Sequence, residues 1–112
     1  IRKAAGERSA VFIGRCADYV LREHPRCVNV FLTADMDDRI AQVMRREGLD
    51  RAAAERRIEN GDRQRAAFYN SYSPGTWGAA ATYDLCVNTS LLGMEETAEL
   101  IIGFARKRLG IL

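Results

Sequence analysis

Asp62, Arg63 and Arg65 follow Gly61 within one short stretch that then runs into Tyr69 and Tyr72. Arginine suits phosphate because its planar fork donates two hydrogen bonds at once and never loses its charge. The carboxylate of Asp62 is spaced to hold one of the pair in place. Two readings stand for Arg63 and Arg65: ligands of a phosphate, or cations on a solvated helix face. Arg15 is a second candidate. It directly follows Gly14, where an apolar run ends, with Asp18 about one helical turn on. In open α/β sheets ligands gather in the crevice at the carboxyl ends of the strands, which is where such a residue stands.

The elements that must position these residues are legible as apolar patterns. "AVFIG" (10–14), "CVNVFLTA" (27–34) and "YDLCVNTS" (83–90) are short apolar runs that suit parallel strands buried on both faces. Between them, Met36, Ile40, Val43 and Met44 recur at helical spacing, with acids at the start and Gly48 at the end. A second helix begins after Asp50, a good N-cap, and runs through 51–72. Gly61 inside it costs about 1 kcal/mol relative to alanine, so it marks an expected weak point, and 55–75 is the expected lid segment. A third helix carries Met94, Ala98, Ile101, Ile102, Ala105 and Leu109 on one face. Glu95 and Glu96 in its first turn and Arg106 to Arg108 in its last suit the helix dipole. Ser73 to Thr82 is a Gly/Pro/Ala-rich loop. The chain opens on "IRKAAGERS", which has helical character without a preceding cap.

Alternation of strands and helices predicts an α/β fold with a parallel sheet, within a single domain spanning 1–112. Three strands make a small sheet, so the chain is expected to be the C-terminal part of a larger domain. No window approaches the ~18 apolar residues of a membrane span, and nothing resembles a signal peptide. The net charge of +2 is too small to imply a polyanionic partner. Cys16, Cys27 and Cys86 form no CxxC pair, so reduced, buried thiols and a cytoplasmic location are expected. The lone His24, between Glu23 and Pro25, shows no serine and acid at the spacing of a triad and reads as a turn residue. Arg45, Arg46, Arg51, Arg56 and Arg57 read as solvated helix cations near Glu47 and Glu55. Tyr69, Tyr72 and Trp77 are candidates for packing or for stacking on a base.

Taken in order, "FIGRCADYVL", "VNVFLTADMDDRIAQVM", "DRQRAAFYNSY" and "WGAAATYDLCVNTSLLG" resemble the cytidylate kinase-like family of P-loop nucleoside monophosphate kinases. The resemblance covers essentially the whole chain. It implies part of a P-loop NTPase sheet flanked by helices, and transfer of the γ-phosphoryl of ATP to a nucleoside monophosphate, with Mg²⁺. It also implies that Gly14 and Arg15 belong to the monophosphate site, that Arg63 and Arg65 close over the phosphates from a lid, and that Asn88, Thr89 and Ser90 lie near the adenine. The family's strand order implies a gap between "AVFIG" and "CVNVFLTA". Two departures are visible. Cys16 stands where bacterial cytidylate kinases carry an acid, which leaves the acceptor open. No G-x-x-x-x-G-K-[ST] loop occurs in the chain, so this stretch alone is expected to be inactive. A non-catalytic nucleotide- or nucleic-acid-binding module is the alternative, although acids interleave the basic region and no aromatic-studded sheet or helix-turn-helix pattern is present.

Overall fold

The computed structural model describes residue 6, residues 9–14 and residues 16–110. The expected opening helix lies largely outside the described residues, as does Arg15. The element order is α1 (Ala17–Val20), β1 (Val30–Thr33), α2 (Met36–Glu47), α3 (Arg51–Tyr72), a 3₁₀ turn (Ala80–Thr82), β2 (Leu85–Asn88) and α4 (Thr89–Leu109). This is a mixed α/β arrangement around a small parallel sheet.

β1 and β2 pair in parallel, with Val30 opposite Leu85 and Thr33 opposite Asn88. Asp84 anchors the start of the ladder. Its carboxylate accepts from the Asn29 amide at 2.7 Å while its own amide donates to the Asn29 carbonyl at 2.8 Å. α4 packs on both strands, and Val87 of β2 is buried. The third expected strand, 10–14, is not in the sheet. A strand needs a ladder partner, and this run has none among the described residues; Val11 and Ile13 are over 90 % exposed (91 % and 92 %). Burial of β1 on both faces is likewise not met, since Leu32 is 50 % exposed.

The tight core lies elsewhere, in the hairpin of α2 and α3. Ile40, Val43, Ala54 and Ile58 are buried together, with Met44 and Leu49 packed at the edge. Local signals fix both helices. Asp37 and Asp38 occupy the first turn of α2, Arg45 and Arg46 the last, and Gly48 ends it with φ of 68°. The Asp50 carboxylate caps α3 by accepting from the Ala53 amide at 2.8 Å. α3 then runs for 22 residues without a break, so Gly61 is not the weak point expected. Packing along the hairpin outweighs the glycine's modest helix cost. In α4, Gly93 leaves the helical path (φ 82°, ψ 171°), so the regular helix restarts at Met94 with Glu95 and Glu96 in its first turn. Four residues on from Gly93, the buried Thr97 hydroxyl lacks a hydrogen-bond partner among the described residues. The carbonyl a helical threonine ordinarily uses belongs to the residue that the kink displaces.

A charged clamp closes the open end of the hairpin. Arg39 on α2 donates two hydrogen bonds to Asp62 on α3, at 2.9 and 2.7 Å. Asp62 also accepts from Arg65 at 2.6 Å. Both arginines hold the Asp62 carboxyl below its usual range, Arg39 most strongly. The cysteines are all free but unequal: Cys16 is buried, Cys27 half-buried and Cys86 exposed, so the expectation of three buried thiols fails at Cys86, on an open face of β2.

Ile40, 1 % exposed, is the largest fully buried side chain. Ile40→Ala is expected to cost about 2–4 kcal/mol, read by guanidinium denaturation with circular dichroism. The clamp gives a pH signature of definite sign. A carboxyl whose folded pKa is depressed stabilises the fold above its unfolded pKa, about 3.9, and that contribution is lost as pH falls through the folded value. Denaturation midpoints measured from pH 6 downward should therefore fall more steeply for the wild type than for Asp62→Asn; equal slopes would exclude the clamp as a titrating contact.

Candidate functional site

Three elements meet around a cleft of about 440 Å³: the turn before α1, the second half of α3, and the loop that follows α3. Gly14 and Cys16 form one wall, Arg65, Phe68 and Tyr69 the second, and Trp77 the third. The size falls in the range of small-ligand pockets, about 300–1,000 Å³.

The turn is held in an unusual shape. Gly14 has φ of 72° and Cys16 φ of 55°, the latter the one left-handed residue other than glycine among those described. Such a conformation costs a β-carbon-bearing residue about 1–2 kcal/mol, and it persists where surrounding contacts enforce it. Those contacts come from Tyr69. The Cys16 thiol sits 4.0 Å from the Tyr69 carbonyl, and the Tyr69 hydroxyl donates to the Asp18 carboxylate at 2.6 Å. Burial, reinforced by the bond to Asp18, pushes the Tyr69 phenol up to about 12. Burial also raises the Cys16 thiol, with Asp18 adding to the effect, so Cys16 is not a thiolate at neutral pH. Tyr69 is thus a packing residue that ties α1 to α3. Tyr72, 64 % exposed, stacks on Phe68 with ring centroids 4.8 Å apart.

Arg65 stands at the mouth of the cleft. Its guanidinium lies 6.0 Å from the Trp77 ring and folds back along α3 onto Asp62. Gly61 makes room for that path: a β-carbon there would meet the guanidinium at 3.2 Å. Trp77 packs edge-on against Phe31, 5.3 Å between centroids, and Tyr83 covers another part of the Phe31 ring at 4.8 Å. The sheet therefore fixes Trp77, and Trp77 both packs and faces the cleft.

The residues picked out by the sequence divide into groups. Arg65 lines the cleft, and Asp62 and Asp18 each hold one of its walls. Arg63 is two positions from Arg65, about 200° around the helix, and bonds instead to the Asn60 side chain at 3.2 Å. Arg15 lies outside the described residues, but its chain neighbours Gly14 and Cys16 line the cleft. Asn88, Thr89 and Ser90 are at the carboxyl edge of the sheet, where they stitch the two strand-to-helix junctions. Asn88 donates to Asp35 at 2.9 Å and caps the Ser90 amide at 3.0 Å; Thr89 donates to the Thr33 carbonyl at 3.0 Å; the Ser90 hydroxyl accepts from the Asp35 amide at 2.8 Å. His24 accepts from the Arg26 amide at 3.2 Å, a turn contact.

Sequence reasoning missed Arg39. It lies 23 residues before Asp62, with no spacing rule linking the two, so only the hairpin reveals the pair. Among the described residues no group of three His, Cys, Asp or Glu side chains could hold a metal ion, and no helix is long and apolar enough to cross a membrane.

The comparisons with known proteins agree with the collinear motifs. No curated protein matches the chain. A crystal structure of an uncharacterized protein from Eubacterium ventriosum superimposes with a TM-score of 0.90 at 32% identity, covering 93% of this chain and 66% of that one. The chain thus spans just under two-thirds of the length of its structural neighbour. The family model for the cytidylate kinase-like family matches residues 1–91, most of the chain and every wall of the cleft. The chain belongs to the cytidylate kinase-like family.

Proposed function

We propose that this chain is the acceptor and lid portion of an ATP-dependent nucleoside monophosphate kinase with a P-loop NTPase fold. The observation that carries the reading is the placement of Arg65, set by Asp62 at the rim of a cleft whose far wall is the Gly14 turn. A guanidinium at that rim is suited to the phosphate of a nucleotide lying in the cleft, with Trp77 beside it as an aromatic surface for a base.

Phosphoryl transfer asks the protein mainly for positioning and for charge stabilisation where negative charge is spread in the transition state. Arg65 is assigned the second task. Arg15 is assigned the anchoring of the acceptor phosphate from the turn that Tyr69 and Asp18 brace, and Arg63 a supporting role on the solvent side of α3. Asn88, Thr89 and Ser90 are assigned to the edge nearest the donor base. ATP needs a glycine-rich cradle with a lysine, which this sequence does not contain, so the donor phosphates are assigned to residues outside this chain. Mg²⁺ supplies charge neutralisation on the nucleotide phosphates when bound; the described residues offer no cluster fitted to hold it by themselves.

The nucleic-acid reading loses support from the ion pairs of the hairpin. Arg51 bonds to Asp37 and Glu55, and Arg57 to Glu47, so these cations are matched by acids rather than left to line a phosphate backbone.

The test is turnover of the full-length protein with ATP, Mg²⁺ and a panel of nucleoside monophosphates. Arg65→Lys should lower the rate about a hundredfold to a thousandfold, the scale of one lost charge-stabilising contact. Lysine keeps the charge but not the fork, and the partly exposed pair with Asp62 contributes little to folding, so the melting temperature should stay nearly unchanged. Full activity in Arg65→Lys, or activity lost in step with stability, would refute the role given to Arg65.

A further inference from the structure

Arg39, Asp62 and Arg65 form a trio with two positive charges and one negative. Both arginines bond to the same oxygen, Asp62 Oδ1, at 2.7 and 2.6 Å, while Arg39 alone holds Oδ2, at 2.9 Å. The two arginines differ in what else they reach. Arg39 and Asp62 are both about 70 % buried, at 29 % and 28 % side-chain exposure, whereas Arg65 is 55 % exposed and lines the cleft.

We propose that Arg39 is a positioning residue: by holding Asp62 on its own, it lets Arg65 exchange Asp62 for a phosphate oxygen in the cleft. This rests on the reading of the cleft as a phosphate site. A half-buried carboxylate stranded without a partner is costly, so Arg65 could not leave Asp62 if it were the only cation there. With Arg39 donating to both oxygens, Asp62 stays paired when Arg65 swings away, and one positive charge is left over to meet an anion. The exchange needs no backbone motion. Arg65 sits on an unbroken helix, Gly61 leaves its side chain a clear path, and Trp77 waits 6.0 Å away.

Trp77, the single tryptophan of this 112-residue chain, sits beside Arg65 and reports on the exchange. Pyrophosphate is titrated into the full-length protein while Trp77 fluorescence is followed, for the wild type, Arg39→Gln, Asp62→Asn and the double variant, with a thermal melt of each. Arg39→Gln leaves Asp62 to Arg65 alone and should weaken pyrophosphate binding roughly fivefold, the scale of one partly exposed ion pair. Asp62→Asn removes what Arg39 acts through. That variant and the double variant should bind alike, which a packing role for Arg39 would not produce. Wild-type affinity in Arg39→Gln overturns the proposal. So does a double variant clearly weaker than Asp62→Asn, or a wild type that binds no pyrophosphate. If Arg39→Gln does not fold, the comparison of the other two variants still decides. Absence of turnover with this binding pattern intact would overturn the kinase reading and leave the exchange standing; turnover with the pattern missing would overturn only the exchange.

Discussion

The rest of the arrangement depends on a single carboxylate being shared. Asp62 accepts from a guanidinium on α2 and from another on its own helix, so it closes the helical hairpin and sets the resting place of the side chain that faces the cleft. Below it, Ile40, Val43, Ala54 and Ile58 supply the burial that keeps the two helices together. The apolar contacts determine that the helices pack. The charges determine where the exposed end of that packing presents a cation. Neither would be enough alone, because an apolar hairpin without the clamp leaves Arg65 free to sample solvent, and a clamp without the core has nothing to hold in register.

Much of this could be read from local signals. Asp50 as a cap, Gly48 as a stop and the acids after Asp35 act within a turn or two, and these helix ends appear where the sequence places them. The runs at 27–34 and 83–90 likewise contain strands, each shorter than the run, at Val30–Thr33 and Leu85–Asn88. What failed depends on partners distant in sequence. The run from Ala10 to Gly14 has strand-forming residues but no neighbour to pair with among the described residues, and Gly61 looked like a break because its helix cost is local while the packing that offsets it is not. Cys86 is apolar in pattern yet exposed, since among the described residues β1 is the one strand beside β2. In the site, Arg65 and Asp62 were legible as neighbours in the chain. Arg39, and the bond from Tyr69 to Asp18 across 51 residues, were not.

Membership of the cytidylate kinase-like family and the fit to the Eubacterium ventriosum structure place the chain in a longer architecture, of which it covers 66% in that neighbour. The division of labour within the chain is consistent with that. The hairpin and the Gly14 turn surround an open cleft, and the sheet, with Leu32 half exposed, is the less enclosed part. The residues with chemistry to offer gather where the helices meet the turn. At the sheet's carboxyl edge, Asn88, Thr89 and Ser90 spend their hydrogen bonds on joining the strand ends.

The unbroken α3 has a mechanical consequence. Its packed half, around Ala54 and Ile58, is a fulcrum, while Arg65, Phe68 and Tyr69 ride on the arm beyond it. From Ile58 to Tyr69 is eleven residues, about 16 Å along the axis, so a tilt of about 10° at the fulcrum carries the far end about 3 Å. Because Tyr69 also ties α3 to α1, such a tilt would carry the Asp18 side along and shift the rim at Arg65 without a flexible joint. Slight repacking among four apolar side chains becomes a displacement comparable to a hydrogen-bond length at the place where the arginine meets its anion.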